Sequence, residues 1–140
     1  MNITLIGMPG SGKSVIGKKL AKRLNYKFLE IEEKTILELG KINDYIISPG
    51  GSVVYSRKVM ELLKKKSVII FLNCPFKDVK KYLLNLSTRG IVGLKNKRLK
   101  ALFEERMPLY KKYADFTIKI IGDWNINAII KDIIDKIFKK

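Results

Sequence analysis

Residues 7–14 read Gly7-Met8-Pro9-Gly10-Ser11-Gly12-Lys13-Ser14 and fill every fixed position of G-x-x-x-x-G-K-[ST]. The motif constrains the fold because it works only between a strand and a helix. Its glycines let the backbone curl until successive N–H groups point inward at an anion. The following helix aims its N-terminal dipole at the same anion. Lys13 can reach the β- and γ-phosphates of a nucleoside triphosphate as a mobile point charge. The Ser14 hydroxyl can ligate Mg²⁺. The expected nucleotide-binding set is Gly7, Pro9, Gly10, Ser11, Gly12, Lys13, Ser14 and Val15. The context fits. Asn2-Ile3-Thr4-Leu5-Ile6 is a short β-rich run, and Lys13 to Leu24 reads as a helix with Val15, Ile16, Leu20, Ala21 and Leu24 on one side.

Beyond that unit, strand-like and helical runs alternate. Strands are expected at about 2–7, 27–31, 45–48, 67–73 and 115–120. Helices are expected at about 13–24, 33–39, 56–65, 75–86, 96–112 and 125–138. Val68-Ile69-Ile70-Phe71-Leu72 is continuously apolar, as a strand covered on both faces should be. Ile126, Ile129, Ile130, Ile133, Ile134 and Ile137 recur at helical spacing and read as a core stripe. The alternation predicts an α/β fold of three layers, a five-stranded parallel sheet with helices on both faces. At 140 residues it is expected to be one domain, 1–140, without repeats or linkers.

The formal net charge is +16. It is mostly lysine and is spread along every helix, and no nucleic-acid-binding motif is visible. Solvated helix faces account for it, so no nucleic-acid partner is expected; anionic nucleotides would still be attracted. No run is apolar enough for a membrane partner. Cys74 is the only cysteine and histidine is absent, which excludes an internal disulfide and argues against zinc. These features fit a cytoplasmic protein, expected to act as a monomer.

Ligands of open parallel sheets sit beyond the carboxyl ends of the strands. The loops there carry the phosphate motif, then Glu30, Glu32 and Glu33, then Ser48-Pro49-Gly50-Gly51-Ser52, then Asn73-Cys74-Pro75. Glu30 can orient Mg²⁺ through water. Glu32 can take the proton of an acceptor hydroxyl; it can also be an acidic cap of the next helix. Gly50 and Gly51 either let backbone approach an acceptor closely or supply a turn with positive φ. Arg89, between two helices, can close on a γ-phosphate or remain solvated.

Several segments together resemble the shikimate kinases, P-loop proteins akin to the nucleoside-monophosphate kinases. They are Ile6-Gly7 through Ser14 with Ile16-Gly17, Leu20-Ala21 and Phe28; Glu30 and Glu32 at the spacing of D-x-D; Pro49-Gly50-Gly51-Ser52-Val53 for G-G-G-x-V; and Arg89-Gly90-Ile91-Val92 for the lid arginine. The most specific is Arg106, Pro108, Leu109, Tyr110, Ala114 and Asp115 for R-x-P-L-Y-x-x-x-A-D. The resemblance implies transfer of the γ-phosphate of ATP to a hydroxyl of a small acceptor, shikimate first among them, with ATP and Mg²⁺ as cofactors. It implies catalytic roles for Lys13, Glu32 and Arg89, metal roles for Ser14 and Glu30, and acceptor binding by Glu32, Gly50, Gly51 and Arg106. It implies a lid at about 85–97 and adenine contacts at Tyr82 and Ile126, near Trp124. Arg106 also reads as a cation at a helix C-terminus. A kinase of another hydroxylated metabolite or nucleoside, or a nucleotide-binding protein without turnover, would share most of these features.

The resemblance departs in one region. Sixteen residues, 33–48, separate Glu32 from Pro49, and a parallel crossover needs about a dozen. The family's helical acceptor-binding insertion has no room, and its F-R arginine has no counterpart. Arg57 is a candidate substitute.

Overall fold

The computed structural model describes residues 1–86, 92–120 and 125–138, with side chains described outside 82–86 and 92–97. Five parallel strands, β1 (Ile3–Ile6), β2 (Lys27–Ile31), β3 (Tyr45–Pro49), β4 (Val68–Asn73) and β5 (Phe116–Lys119), form one sheet in the order β2-β3-β1-β4-β5. Among the described residues six α-helices connect and cover them: α1 (Lys13–Leu24), α2 (Glu33–Ile36), α3 (Arg57–Lys66), α4 (Phe76–Leu86), α5 (Val92–Tyr113) and α6 (Ile126–Phe138). This is the expected three-layer architecture.

Alternation along the strands divides the core in two. Ile3, Leu5, Ile46, Ile70 and Leu72 pack against Ile16, Leu20 and Ala21 of α1 and Ile130 and Ile133 of α6. Their strand neighbours Ile6, Ile47, Ile69 and Phe71 face Met60 and Leu63 of α3, Val79 of α4 and Tyr110 of α5. Val15 departs from the expected stripe. It stands 48% exposed on the first turn of α1, because the apolar arc is set by Ile16, Gly17, Leu20 and Ala21. Gly17 lets α1 lie close on β2: a Cβ there would meet the Phe28 ring at 2.5 Å.

Element bounds shift where local chemistry intervenes. The helix expected at 33–39 is one turn, Glu33–Ile36. Beyond it, Glu38 and Leu39 N–H groups bond back only three residues, and the chain reaches Gly40. The shortened β2–β3 connection is pinned by Asn2, whose buried amide donates to the carbonyls of Ile42 (2.9 Å) and Lys66 (3.1 Å) and accepts from the Tyr45 N–H (3.1 Å). A 3-10 helix, Gly51–Tyr55, precedes α3, and the Ser56 hydroxyl caps α3 by accepting from the Val59 N–H. α5 begins earlier than expected and continues past Pro108 to Tyr113. Pro108 forfeits only one helix hydrogen bond.

Candidate active site

The phosphate loop leaves the carboxyl end of β1, the strand at which the chain's course across the sheet reverses. Gly10 and Gly12 both take φ of +85°, and Gly7 has φ of +154°. A Cβ on Gly7 would lie 2.9 Å from the Leu72 carbonyl oxygen, so only glycine fits. No side chain caps α1 at Gly12, which leaves the first N–H groups of the helix for an anion. The Ser11 hydroxyl is buried in this cradle without a hydrogen-bond partner among the described residues. Curled glycines, uncapped helix and an unpaired hydroxyl suit a polyphosphate.

Lys13 folds back and donates from Nζ to the Gly7 carbonyl at 2.6 Å. Burial, then the positive charge of Arg106, lower its pKa to about 8; the Glu30 carboxylate partly opposes this. A polyphosphate favours the charged ammonium and must raise that pKa. ATP binding at pH 8 is therefore expected to take up protons, and affinity should be full below that pH and weaken as pH rises through it. Calorimetry in two buffers of different ionisation enthalpy reads the uptake directly. Arg106→Ala should diminish it without abolishing it, since burial is the larger cause. Buffer-independent heats at pH 8 would contradict the assignment.

The Ser14 hydroxyl donates to the Glu30 carboxylate on β2, which brings together the two oxygens expected to serve the metal. A hydroxyl and a single carboxylate fit Mg²⁺, which keeps several waters and completes its shell with phosphate oxygens. Among the described residues no group of three acidic, histidine or cysteine side chains forms a protein-only metal cage.

Beside the loop lies the acceptor side. Glu32 follows β2 at the N-cap position of α2 with its side chain 78% exposed, 3.8 Å from Lys34 Nζ. It makes no side-chain capping bond to α2, so the capping role open to it from sequence is not realised. Glu32, Glu33, Lys34 and Leu37 face Ser56 and Val59 across an open pocket of about 430 Å³. The glycine pair splits. Gly50 has φ of −62° and open space around it. Gly51 is crowded: a Cβ would lie 2.9 Å from Arg106 Nη1, 3.2 Å from Pro9 Cδ and 3.3 Å from the Gly7 carbonyl oxygen. Neither takes positive φ, so the turn requirement fails, and it is Arg106 and the phosphate loop that crowd Gly51.

Arg106 thus meets the phosphate loop over Gly51. It lies well before the last turn of α5, whose cations are Lys111 and Lys112, and so is not the helix-end cation that sequence alone allows. Its ring neighbour is Tyr55, 5.3 Å from Arg106 Cζ. Arg57 is turned instead to Glu61, at 3.0 Å.

Sequence marks Tyr110 only as part of a motif. The structure makes it the joint between the two loops. Its hydroxyl donates to the Gly51 carbonyl at 2.8 Å, it touches Met8 Sδ at 3.9 Å, and its ring stacks on Phe71 at 5.0 Å. Burial raises its pKa to about 12, so it remains a neutral donor. Tyr110→Phe is expected to remove one of two hydrogen bonds to the Gly51 carbonyl, the 3-10 helix supplying the other, and to cost about 0.5–1.5 kcal/mol, read as a lower urea midpoint at unchanged slope. An unmoved midpoint would show the hydroxyl to be dispensable.

The remaining expectations fall on the lid and the adenine side. Arg89 and Trp124 fall outside the described residues, as does the Tyr82 side chain. Of the lid expected at 85–97, the described backbone belongs to the end of α4 and the start of α5. Ile126 begins α6 and packs on the core around Ile130 and Ile133, with Asn125 capping the helix through the Ala128 N–H.

Comparison with known proteins bears on the family and the fold. The shikimate kinase family model matches residues 27–138. A shikimate kinase from Caldicellulosiruptor bescii is 33% identical over 146 residues, covering 84% of each chain. One from Rippkaea orientalis is 32% identical over 166 aligned positions, covering 98% of this chain and 88% of the relative. That alignment is longer than this chain, so the relative carries residues absent here. Shikimate kinase from Acinetobacter baumannii, solved in complex with shikimate, superposes with a TM-score of 0.84 at 21% identity, covering 97% and 92% of the two chains, and shows the shared fold. With a family match across most of its length and the P-loop sheet beneath it, the chain belongs to the shikimate kinase family, ATP-dependent phosphotransferases that act on an alcohol group.

Proposed function

We propose that this chain transfers the γ-phosphate of ATP to a hydroxyl of a small, carboxylate-bearing acceptor, with shikimate the leading candidate. The observation that carries this reading is Arg106 Nη1 seated over Gly51, a position that Pro9 and Gly7 of the phosphate loop also border. A cation there holds an anionic acceptor beside the phosphate loop.

Positioning and charge neutralisation would do most of the work. The loop N–H groups and Lys13 hold the phosphates. Ser14 and Glu30 hold Mg²⁺, which neutralises charge on the phosphate oxygens when bound. Glu32 accepts the acceptor's hydroxyl proton from the pocket side, and Arg89 closes on the γ-phosphate. Among the described residues no helix is long and apolar enough to cross a membrane. We infer a cytoplasmic monomer working where ATP is abundant, with no nucleic-acid partner.

The short β2–β3 connection bears on affinity. With no counterpart to the family's F-R arginine, Arg106 is left as the main cation for the carboxylate. One charge-assisted hydrogen bond contributes about 1.5–3 kcal/mol, or roughly ten- to a hundredfold in affinity. Shikimate should therefore be used with a high KM.

The test is ATP consumption with shikimate and a panel of hydroxylated metabolites, with and without carboxylates. Turnover on shikimate at high KM supports the reading, and low-KM use would show the deletion to be compensated. Turnover on another hydroxyl compound alone would keep phosphoryl transfer and replace the acceptor. Nucleotide binding without turnover on any member would replace kinase by nucleotide-binding protein.

A further inference from the structure

Tyr55 ends the 3-10 helix that follows the glycine pair, and its ring is 46% exposed. It makes no contribution to either apolar core cluster, yet three of its contacts converge on adjacent residues of α5. Its ring lies 5.3 Å from Arg106 Cζ. Its hydroxyl accepts from Arg106 Nε at 3.4 Å and donates to Glu105 Oε2 at 2.6 Å. One phenol thus binds two consecutive side chains of a helix, which on their own would diverge by about 100°.

The division of labour matters. Donating its proton to Glu105 leaves the phenol oxygen's lone pairs for Arg106 Nε, and the carboxylate polarises that oxygen. Glu105 is held by the hydroxyl, so it does not compete as directly for the guanidinium. Arg106 is tied at Nε, while Nη1 extends over Gly51 beside the phosphate loop. An untethered arginine would otherwise lose rotamer freedom each time it bound a ligand. A guanidinium already stacked and tethered has met that cost before the acceptor arrives.

We propose that Tyr55 is a positioning residue that holds Arg106 ready for the acceptor, with Glu105 as its anchor. The proposal rests on the reading of Arg106 as the acceptor's cation. Its consequence is specificity: the site keeps one well-oriented cation in place of the pair implied by the family resemblance.

Tyr55→Phe keeps the ring and removes the hydroxyl, and Tyr55→Leu removes both. The position is exposed enough for the fold to tolerate either change, which thermal unfolding checks. The first readout uses the protein alone. The Arg106 Nε–H resonance, assigned by its loss in Arg106→Lys, should exchange with water several-fold faster in Tyr55→Phe and faster still in Tyr55→Leu. The second is steady-state kinetics with shikimate. Tyr55→Phe should raise the acceptor KM about two- to tenfold, the size of one hydrogen bond, and Tyr55→Leu should raise it further. KM for ATP should remain within about twofold, a split that general loosening of the site would not give. Unchanged Nε exchange in Tyr55→Leu overturns the proposal. So does faster exchange with an unchanged acceptor KM. A wild-type chain inactive on shikimate would sink the acceptor assignment, while Nε exchange still decides whether Tyr55 holds Arg106.

Discussion

Lys13→Ala is expected to lose phosphoryl transfer by about 10²–10³-fold or more, the scale of removing one preorganised electrostatic group from a transition state, while the fold stays intact. The structure gives both halves of that expectation. Nζ lies in the phosphate cradle, bonded to the Gly7 carbonyl, and two causes already lower its pKa to about 8. The burial penalty on its charged form offsets what its bond to the Gly7 carbonyl contributes to stability. Thermal unfolding should therefore be unchanged or slightly improved. Lys13→Met, which retains the apolar stem, should behave alike and separates lost charge from lost packing. Calorimetry with ATP and Mg²⁺, alongside a coupled turnover assay, checks both. Wild-type binding and turnover in either variant would remove the premise that this loop holds the nucleotide.

Why Lys13 could be named from sequence and Tyr55 could not is a matter of range. The phosphate loop is local: eight consecutive residues specify their own backbone, and the flanking strand and helix follow from two short periodic runs. The parallel sheet was legible for the same reason, since alternating apolar runs leave few right-handed arrangements. Bounds failed where tertiary contacts intervene. α2 stops at Ile36 although its apolar spacing continues, and α5 runs through Pro108 because packing outweighs one missing hydrogen bond. The acceptor side is assembled from distant residues. Gly51 matters because Arg106, fifty-five positions later, lies against it, and Tyr110 matters because it bonds Gly51 and touches Met8. No spacing rule within one element reports such meetings. Only the motif around Arg106 hinted at them, and it gave no reason for them. Conversely, one of the two readings open to the glycine pair, a turn with positive φ, is not the one the backbone uses.

The carboxylates at the end of β2 and just beyond it give the sharpest division of roles. Glu32→Gln is expected to lower kcat by about 10²–10⁴-fold, the range for a positioned general base, with ATP affinity nearly unchanged, since a base acts on the acceptor and not on the nucleotide. Glu30 should behave differently. It receives the Ser14 hydroxyl, so Glu30→Gln should shift the Mg²⁺ dependence of the reaction. Glu32 has no competing structural role. It forms no cap bond to α2, and its contact with Lys34 at 3.8 Å joins two strongly exposed side chains, a pairing that contributes little. It is also a wall of the pocket that opens toward Ser56 and Val59. Glutamate reaches one methylene further than the aspartate of the family's D-x-D, which lets a side chain rooted at the pocket edge extend toward an acceptor. Glu33→Gln, on the same pocket but one residue into the helix, is the control and should cost little. Pre-steady-state phosphoryl transfer with MgATP held saturating separates the two residues. If Glu32→Gln turns over at the wild-type rate, Glu32 is a solvated turn carboxylate, and the acceptor's proton leaves by another route, for which Glu33 would be the first candidate.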